Sequence, residues 1–169
     1  RAIINSTITS VDVVTTGTIF PSTTLGIEGT GTNDNANTGR VGEYQASQVL
    51  AAANVGLTNN TPADITSLSL SAGDWDVWGT AAMTLSGATI VTNFISWTSV
   101  TSATLPTAPN FGGENFLNIT FPAGSSSSLS AGIKRFPLTT TTTVVLSTQI
   151  AFTLGGAGAY GFLGARRRR

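Results

Sequence analysis

The chain of 169 residues contains no cysteine and no histidine. Without cysteine it can form neither disulfides nor metal sites built from thiolates. Without histidine it lacks the commonest general base of enzymes and the commonest ligand of transition metals. The composition therefore favours a binding or assembly role over catalysis, and no bound metal or cofactor is expected.

Charge is also scarce, because only 9% of the residues are charged, against about a quarter in ordinary soluble proteins. The eight basic and eight acidic residues cancel to a formal net charge of zero. Long apolar runs are missing too, since Thr, Ser, Asn or Gly interrupts them every few residues. A membrane-spanning helix needs about 20 consecutive apolar residues, so no membrane insertion is expected.

The residues that are abundant favour strands. The chain has 29 threonines, 17 serines and 19 glycines, and β-branched residues suit pleated, half-buried surfaces better than helices. We predict an all-β fold, an antiparallel β-sandwich or jelly roll of about seven or eight strands over residues 32–169. Residues 1–31 are predicted to form an extended arm, or one or two linker strands, that pairs with a neighbour.

Several segments show the alternation of strands and are separated by turn residues every 8 to 12 positions. The segment Val41–Ala51 is the best candidate for the one short helix, and the proline-rich stretch Thr104–Glu114 is predicted to be a loop. Two strands around Gly73 are interpreted as a β-hairpin pair. The strand segments are 65–70, 75–83, 90–100, 116–121, 133–138, 144–152 and 159–167, of which 90–100 has large apolar residues on both faces and should be covered on both sides.

Candidate catalytic or calcium-binding residues are few. Asp74 and Asp76 lie two positions apart, hence on one face of a strand, where paired carboxylates could hydrolyse glycosidic bonds in a suitable cleft. A turn at Gly73 that Asp74 caps is the stronger interpretation. Asn33–Asn35 has the spacing of oxygen ligands for calcium, but the EF-hand glutamate is missing at the required position, so a turn is favoured there too.

The three tryptophans could form a platform on which a sugar ring stacks. The competing interpretation is burial, because aromatic side chains bury large areas in cores and interfaces. We expect Trp75 to pack in the core and at least one of Trp78 and Trp97 to fill the sandwich or an interface.

Half of the positive charge lies in one run at the end of the sequence, Arg166–Arg169. Such a run could contact nucleic-acid phosphates, form bidentate ion pairs with carboxylates of neighbouring subunits, or remain solvated. Because it directly follows a predicted strand and the only other basic pair is Lys134-Arg135, assembly is favoured over nucleic acid.

Four stretches together resemble a domain of phage and prophage virion proteins found in tail or head fibres and related appendages. The resemblance covers about residues 31–169 and rests on the segments 31–44, 65–77, 139–145 and 159–167. It implies a β-sandwich unit of a structural or adsorption protein, commonly trimeric and without enzymatic activity. It does not cover the arm before residue 31, and it supplies no receptor contact.

These observations predict a virion structural protein, a homotrimer that serves as a fibre, fibre tip or head-surface component and contributes to assembly and host adsorption. Its partners would be itself, other virion proteins and a host surface glycan. The expected assembly contacts are Arg40, Glu43, Tyr44, Arg166, Arg167, Arg168 and Arg169. The first alternative is a carbohydrate-binding module that uses an exposed tryptophan. A polysaccharide depolymerase acting through Asp74 and Asp76, or through Glu114 and a partner, is the second.

Overall fold

Nine antiparallel strands form two sheets that pack face to face, in a computed structural model that describes residues 31–107 and 113–169. The predicted all-β sandwich is therefore confirmed. The strands are β1 (Tyr44–Val49), β2 (Val55–Leu57), β3 (Ala63–Leu70), β4 (Gly73–Leu85), β5 (Ile90–Ser99), β6 (Glu114–Leu117), β7 (Ser128–Leu138), β8 (Thr142–Thr153) and β9 (Ala157–Arg167).

The chain divides into two compact units, residues 1–34 and 35–169. Of the first unit only residues 31–34 are described, and the sandwich belongs to the second. The arm predicted for residues 1–31 thus lies outside the described residues, apart from Gly31. The same holds for residues 108–112 of the predicted loop Thr104–Glu114.

The first sheet has the order β1-β9-β4-β7, and β2 also pairs with β9. Its long central strand β4 pairs with β9 over eleven positions, from Trp75 opposite Arg167 to Leu85 opposite Ala157. The second sheet has the order β3-β8-β5-β6. The end of the sequence therefore lies in the middle of a sheet, between β1 and β4.

The interpretation of β3 and β4 as a hairpin is wrong. β3 pairs with β8 in the second sheet, whereas β4 pairs with β7 and β9 in the first. The turn at Gly73 therefore carries the chain from one sheet to the other. Local alternation cannot separate these two arrangements, because both place the apolar residues of the two strands against the same core.

The prediction of a helix over Val41–Ala51 is also wrong. This segment forms strand β1, and its helical structure is confined to one 3-10 turn, Ala51–Ala53. Exposed residues alternate with half-buried ones along β1, and the strand pairs with β9 over six positions. Pairing with a neighbouring strand supplies backbone hydrogen bonds that outweigh the intrinsic helix propensity of Gln and Ala in this segment.

The core lies between the two sheets. Trp75, Val77 and Met83 of β4 are fully buried, as the alternation along this strand predicts. The facing sheet contributes residues such as Phe94 and Leu146. The full set of buried apolar residues in this cluster is Ile65, Leu68, Leu70, Trp75, Val77, Ala81, Met83, Val91, Phe94, Leu129, Ala131, Phe136, Val144, Leu146, Ile150, Ala159, Leu163 and Ala165.

Strand β5 is covered on both faces, as its composition predicts. A register shift between Val91 and Asn93 breaks the alternation, so Val91 and Phe94 both belong to the core cluster. Ile95 and Trp97 are buried but lie outside that cluster. Among the described residues, no helix is long and apolar enough to cross a membrane.

Candidate functional site

The arginine tail is built into the first sheet. Along β9, buried Leu163, Ala165 and Arg167 alternate with residues on the outer face, which places Arg166 on that outer face. The backbone continues the pairing beyond the strand, since Arg168 N–H donates to Asp74 O (2.7 Å) and Asp74 N–H donates to Arg169 O (3.2 Å). The four consecutive arginines therefore have different environments.

Arg167 is buried and forms an ion pair within the chain. Its Nε donates to Glu43 Oε2 at 2.8 Å, and the side chains are only 5% and 4% exposed, respectively. Its two terminal nitrogens donate to Ala72 O (2.8 Å) and Ser71 Oγ (2.6 Å). A buried charge needs an opposite charge and further hydrogen bonds, and Arg167 has both.

The turn between β3 and β4 is shaped to receive this guanidinium. Arg167 Cζ lies 4.3 Å from the centre of the Trp75 ring, a cation–π contact. Gly73 has a φ of +145°, and a Cβ there would collide with Arg167 Nη1. Glycine is therefore required for both the backbone conformation and the space. Three of the four stretches that carry the family resemblance meet here, through Glu43, Gly73 and Arg167.

Glu43 is kept ionised by its surroundings. Burial alone would raise its pKa, but hydrogen bonds from Gly39 N–H, Arg167 and Gln45, together with the positive charge of Arg167, lower it below the ordinary 4.5. Gly39 N–H donates to Glu43 Oε2 at 2.8 Å, and Gln45 Nε2 donates to Glu43 Oε1 at 2.9 Å. The pair with Arg167 thus persists at neutral pH.

Asp74 is held by two other arginines. Arg135 donates to both of its carboxylate oxygens, at 2.7 and 2.8 Å, and Arg169 Nε lies 2.9 Å from Oδ2. Hydrogen bonds from Arg135 lower the pKa of Asp74, and the charges of Arg135 and Arg169 add to this against the opposing effect of burial. A glycosidase acid needs a raised pKa, so this carboxyl group is shifted in the wrong direction for the depolymerase alternative.

Asp76, two positions further along β4, points to the same outer face. It is 38% exposed and lies 3.6 Å from Arg168 Nη1. The outer corner of the sheet therefore carries two aspartates and four arginines, Arg135, Arg166, Arg168 and Arg169. Among the described residues Arg166 makes no ion pair.

Beside this corner lies a surface that we call the aromatic face, made by Tyr44, Trp78 and Phe162 around Gly164. The rings of Tyr44 and Trp78 are stacked, with centroids 6.1 Å apart and planes inclined by 28°. A Cβ on Gly164 would lie 2.8 Å from Trp78 Cε2 and 3.0 Å from Phe162 Cε1. The missing side chain at Gly164 is what lets these rings close over the strand.

A groove of about 480 Å³ adjoins this face, lined by Asp76, Trp78, Ser130, Gly132, Ile133 and Arg166. Trp78 is half-buried, whereas Trp75 and Trp97 are fully buried. The prediction that Trp75 packs in the core and that one of the other two is also buried is confirmed. Trp78 remains as an aromatic side chain that a ligand can reach.

The predicted assembly residues fall into two groups. Glu43 and Arg167 are buried and form an ion pair with each other within the chain. Arg40, Tyr44, Arg166, Arg168 and Arg169 are on the surface. Contact of any of them with a neighbouring subunit stays a prediction. Among the residues that the structure describes, no group of three or more potential metal ligands of the Asp, Glu, His or Cys type comes together.

Sequence reasoning did not anticipate Arg135 as the partner of Asp74 or Ser71 as a partner of Arg167. Sixty-one positions separate Asp74 from Arg135, and only the pairing of β4 with β7 places them together. The one signal in the sequence was that Lys134-Arg135 is the other basic pair of a nearly uncharged chain.

Comparison with known proteins gives one structural similarity to report. No family model matches the chain, and no curated protein matches it. Its structure is similar to a chain from the structure of infectious bursal disease virus, Gx strain, with a TM-score of 0.44 and 12% sequence identity. The match covers 74% of the present chain and 32% of the viral one, so the present chain spans about a third of that neighbour's length.

Proposed function

We propose that this protein is a structural component of a phage particle, a homotrimer that forms a fibre, a fibre tip or part of the head surface. The resemblance of residues 31–169 to virion appendage domains motivates the proposal. The observation that carries it is the scarcity of charged residues on the edge strands of both sheets. Charged side chains on an edge strand normally prevent it from pairing with the edge of another molecule.

The edge strands of the described sandwich are β1, β2 and β7 in the first sheet and β3 and β6 in the second. Strands β1 and β2 contain no charged residue, and β3 and β6 contain one each, Asp64 and Glu114. Asp64 accepts hydrogen bonds from Ser102 and Ala103, so its carboxylate is already bound within the chain. Only β7, with Lys134 and Arg135, has two.

Strand β6 is the edge best suited to contact a second copy. It is four residues long, and Phe116 within it is 54% exposed, with Ile119 just beyond it 51% exposed. Apolar side chains on an edge strand favour association, and in a closed trimer such a patch would contact a different surface of the next copy, head to tail. We therefore place the subunit contact at β6.

The test is the mass of the full chain in solution, measured by light scattering or sedimentation. A trimer has three times the chain mass of 17.3 kDa. Phe116→Lys should shift the population to monomer, because it places a charge in the proposed contact. The matched control is Leu154→Lys, a 73% exposed residue in the β8–β9 turn, which should leave the mass unchanged. A wild-type chain that is monomeric at all concentrations would contradict the proposal.

A further inference from the structure

We propose that the aromatic face and the adjoining groove bind an acidic sugar, a pyranose ring that carries a carboxylate, and that Trp78 and Arg166 are the residues that recognise it. This goes beyond the proposed structural role and does not depend on it. It assigns a ligand class to a surface of the first sheet, whereas β6 belongs to the second.

The first argument is shape. The Trp78 indole covers Gly164 and stacks beside Tyr44, yet it is only half-buried and lines the groove, so part of its aromatic surface is open to a ligand. One side of a pyranose ring consists mainly of C–H groups, which pack well against such a surface. The groove volume of about 480 Å³ lies within the range of about 300–1,000 Å³ typical of small-molecule sites.

The second argument is the polar groups around the platform. Asp76 and Ser130 line the same groove as Trp78, and carboxylate and hydroxyl oxygens can exchange hydrogen bonds with sugar hydroxyls. A few polar groups around an apolar surface are the usual composition of a small-molecule site. The groove therefore offers both stacking and hydrogen bonding to one ring.

The third argument is charge, and it selects the kind of sugar. Four arginines face two aspartates at this corner, so the side chains there sum to a positive charge. Asp74 forms ion pairs with Arg135 and Arg169, and Asp76 lies near Arg168. Arg166 lines the groove and makes no ion pair with a described carboxylate, so its planar guanidinium can accept a carboxylate in a bidentate contact.

The test titrates the full chain with a galacturonic acid trisaccharide and, as the neutral comparison, a galactose trisaccharide of the same length. Binding is followed in ¹H–¹⁵N spectra through the three tryptophan indole N–H signals. The acidic sugar should shift the Trp78 signal and leave those of the buried Trp75 and Trp97 in place. The neutral sugar should bind at least tenfold more weakly.

Two variants separate the two parts of recognition. Trp78→Ala should weaken binding of the acidic sugar at least tenfold. Arg166→Gln should remove the preference for the acidic over the neutral sugar while some stacking remains. Leu154→Ala, at a 73% exposed residue of the β8–β9 turn outside both the groove and β6, is the control and should bind as the wild type does. Thermal unfolding of each variant confirms that it is folded.

Three outcomes would overturn the proposal. The first is an unchanged Trp78 signal at millimolar acidic sugar in the wild-type chain, a result that needs no variant. The second is equal binding of the neutral and acidic sugars. The third is protection of Trp78 on oligomerisation, which would make the aromatic face a subunit interface. The first two can occur whether or not Phe116→Lys dissociates the trimer, so this proposal and the structural one fail separately.

Discussion

Replacing Glu43 by glutamine should destabilise the domain strongly, because it leaves the buried cation of Arg167 without its counter-charge. Glutamine has nearly the same shape, so the change removes charge without creating a cavity. Breaking a buried ion pair on one side costs about 3–5 kcal/mol. In the variant Arg167 keeps its hydrogen bonds to Ala72 O and Ser71 Oγ and its contact with Trp75. We therefore expect the free energy of unfolding to fall by about 3 kcal/mol, the lower end of this range.

The assay is urea unfolding at pH 7, with the free energy of unfolding obtained from the midpoint and slope. Asp76→Asn is the control for a general loss of negative charge. It removes the exposed contact with Arg168, in which the two side chains are 38% and 59% exposed, and such surface pairs contribute at most about 1 kcal/mol. If Glu43→Gln lowers the free energy of unfolding by no more than Asp76→Asn does, the reasoning is refuted.

The pH dependence gives a second check on the same variant. The pKa of Glu43 is lowered in the folded chain, so its contribution is complete above the ordinary 4.5 and is lost as pH falls through the folded value. Protonated Glu43 is uncharged like glutamine. The difference in stability between wild type and Glu43→Gln should therefore shrink in acid, and a constant difference would contradict the assignment.

Three further predictions concern other parts of the domain. The pKa values of both Glu43 and Asp74 are lowered, so the unfolding free energy of the wild-type chain should be flat near neutral pH and fall below pH of about 4; a maximum in acid would contradict this. Asp64→Ala should speed hydrogen exchange at the amide of Ala103 about tenfold or more, because that N–H donates to the Asp64 carboxylate at 2.8 Å and hydrogen bonds to charged groups contribute about 1.5–3 kcal/mol. Trp78→Phe should abolish most quenching of tryptophan fluorescence by iodide, since the other two tryptophans are fully buried; unchanged quenching would show that one of those is exposed.

Composition and alternation were sufficient to predict the class of fold. A chain with few charged residues, rich in threonine and glycine, with short apolar segments and frequent turns, has few ways to bury a core other than between two sheets. Individual strands were also predictable, β4 from its alternation and β8 and β9 from β-rich segments that follow turn residues. The burial of Trp75 follows directly from its place in the alternation of β4.

The errors occurred where local preference is weak or where pairing is not local. The helix was predicted for Val41–Ala51, but Tyr44–Val49 within it forms a strand because β9 offers it a partner. The turn at Gly73 was compatible with a hairpin, but the pairing of β3 with β8 and of β4 with β9 sends its two strands to different sheets. Sequence alternation specifies which face of a strand is buried, not which strand lies beside it.

The sequence by itself determined an all-β domain with its basic charge concentrated at one end. Only the tertiary structure decided what that charge does, because alternation along β9 and pairing with β4 give each arginine a different neighbour. Arg167 turns inward to Glu43, Arg168 and Arg169 lie by the aspartates of β4, and Arg166 faces the aromatic groove. Strand geometry thus gives four identical residues different neighbours, and composition alone contains no information about those neighbours.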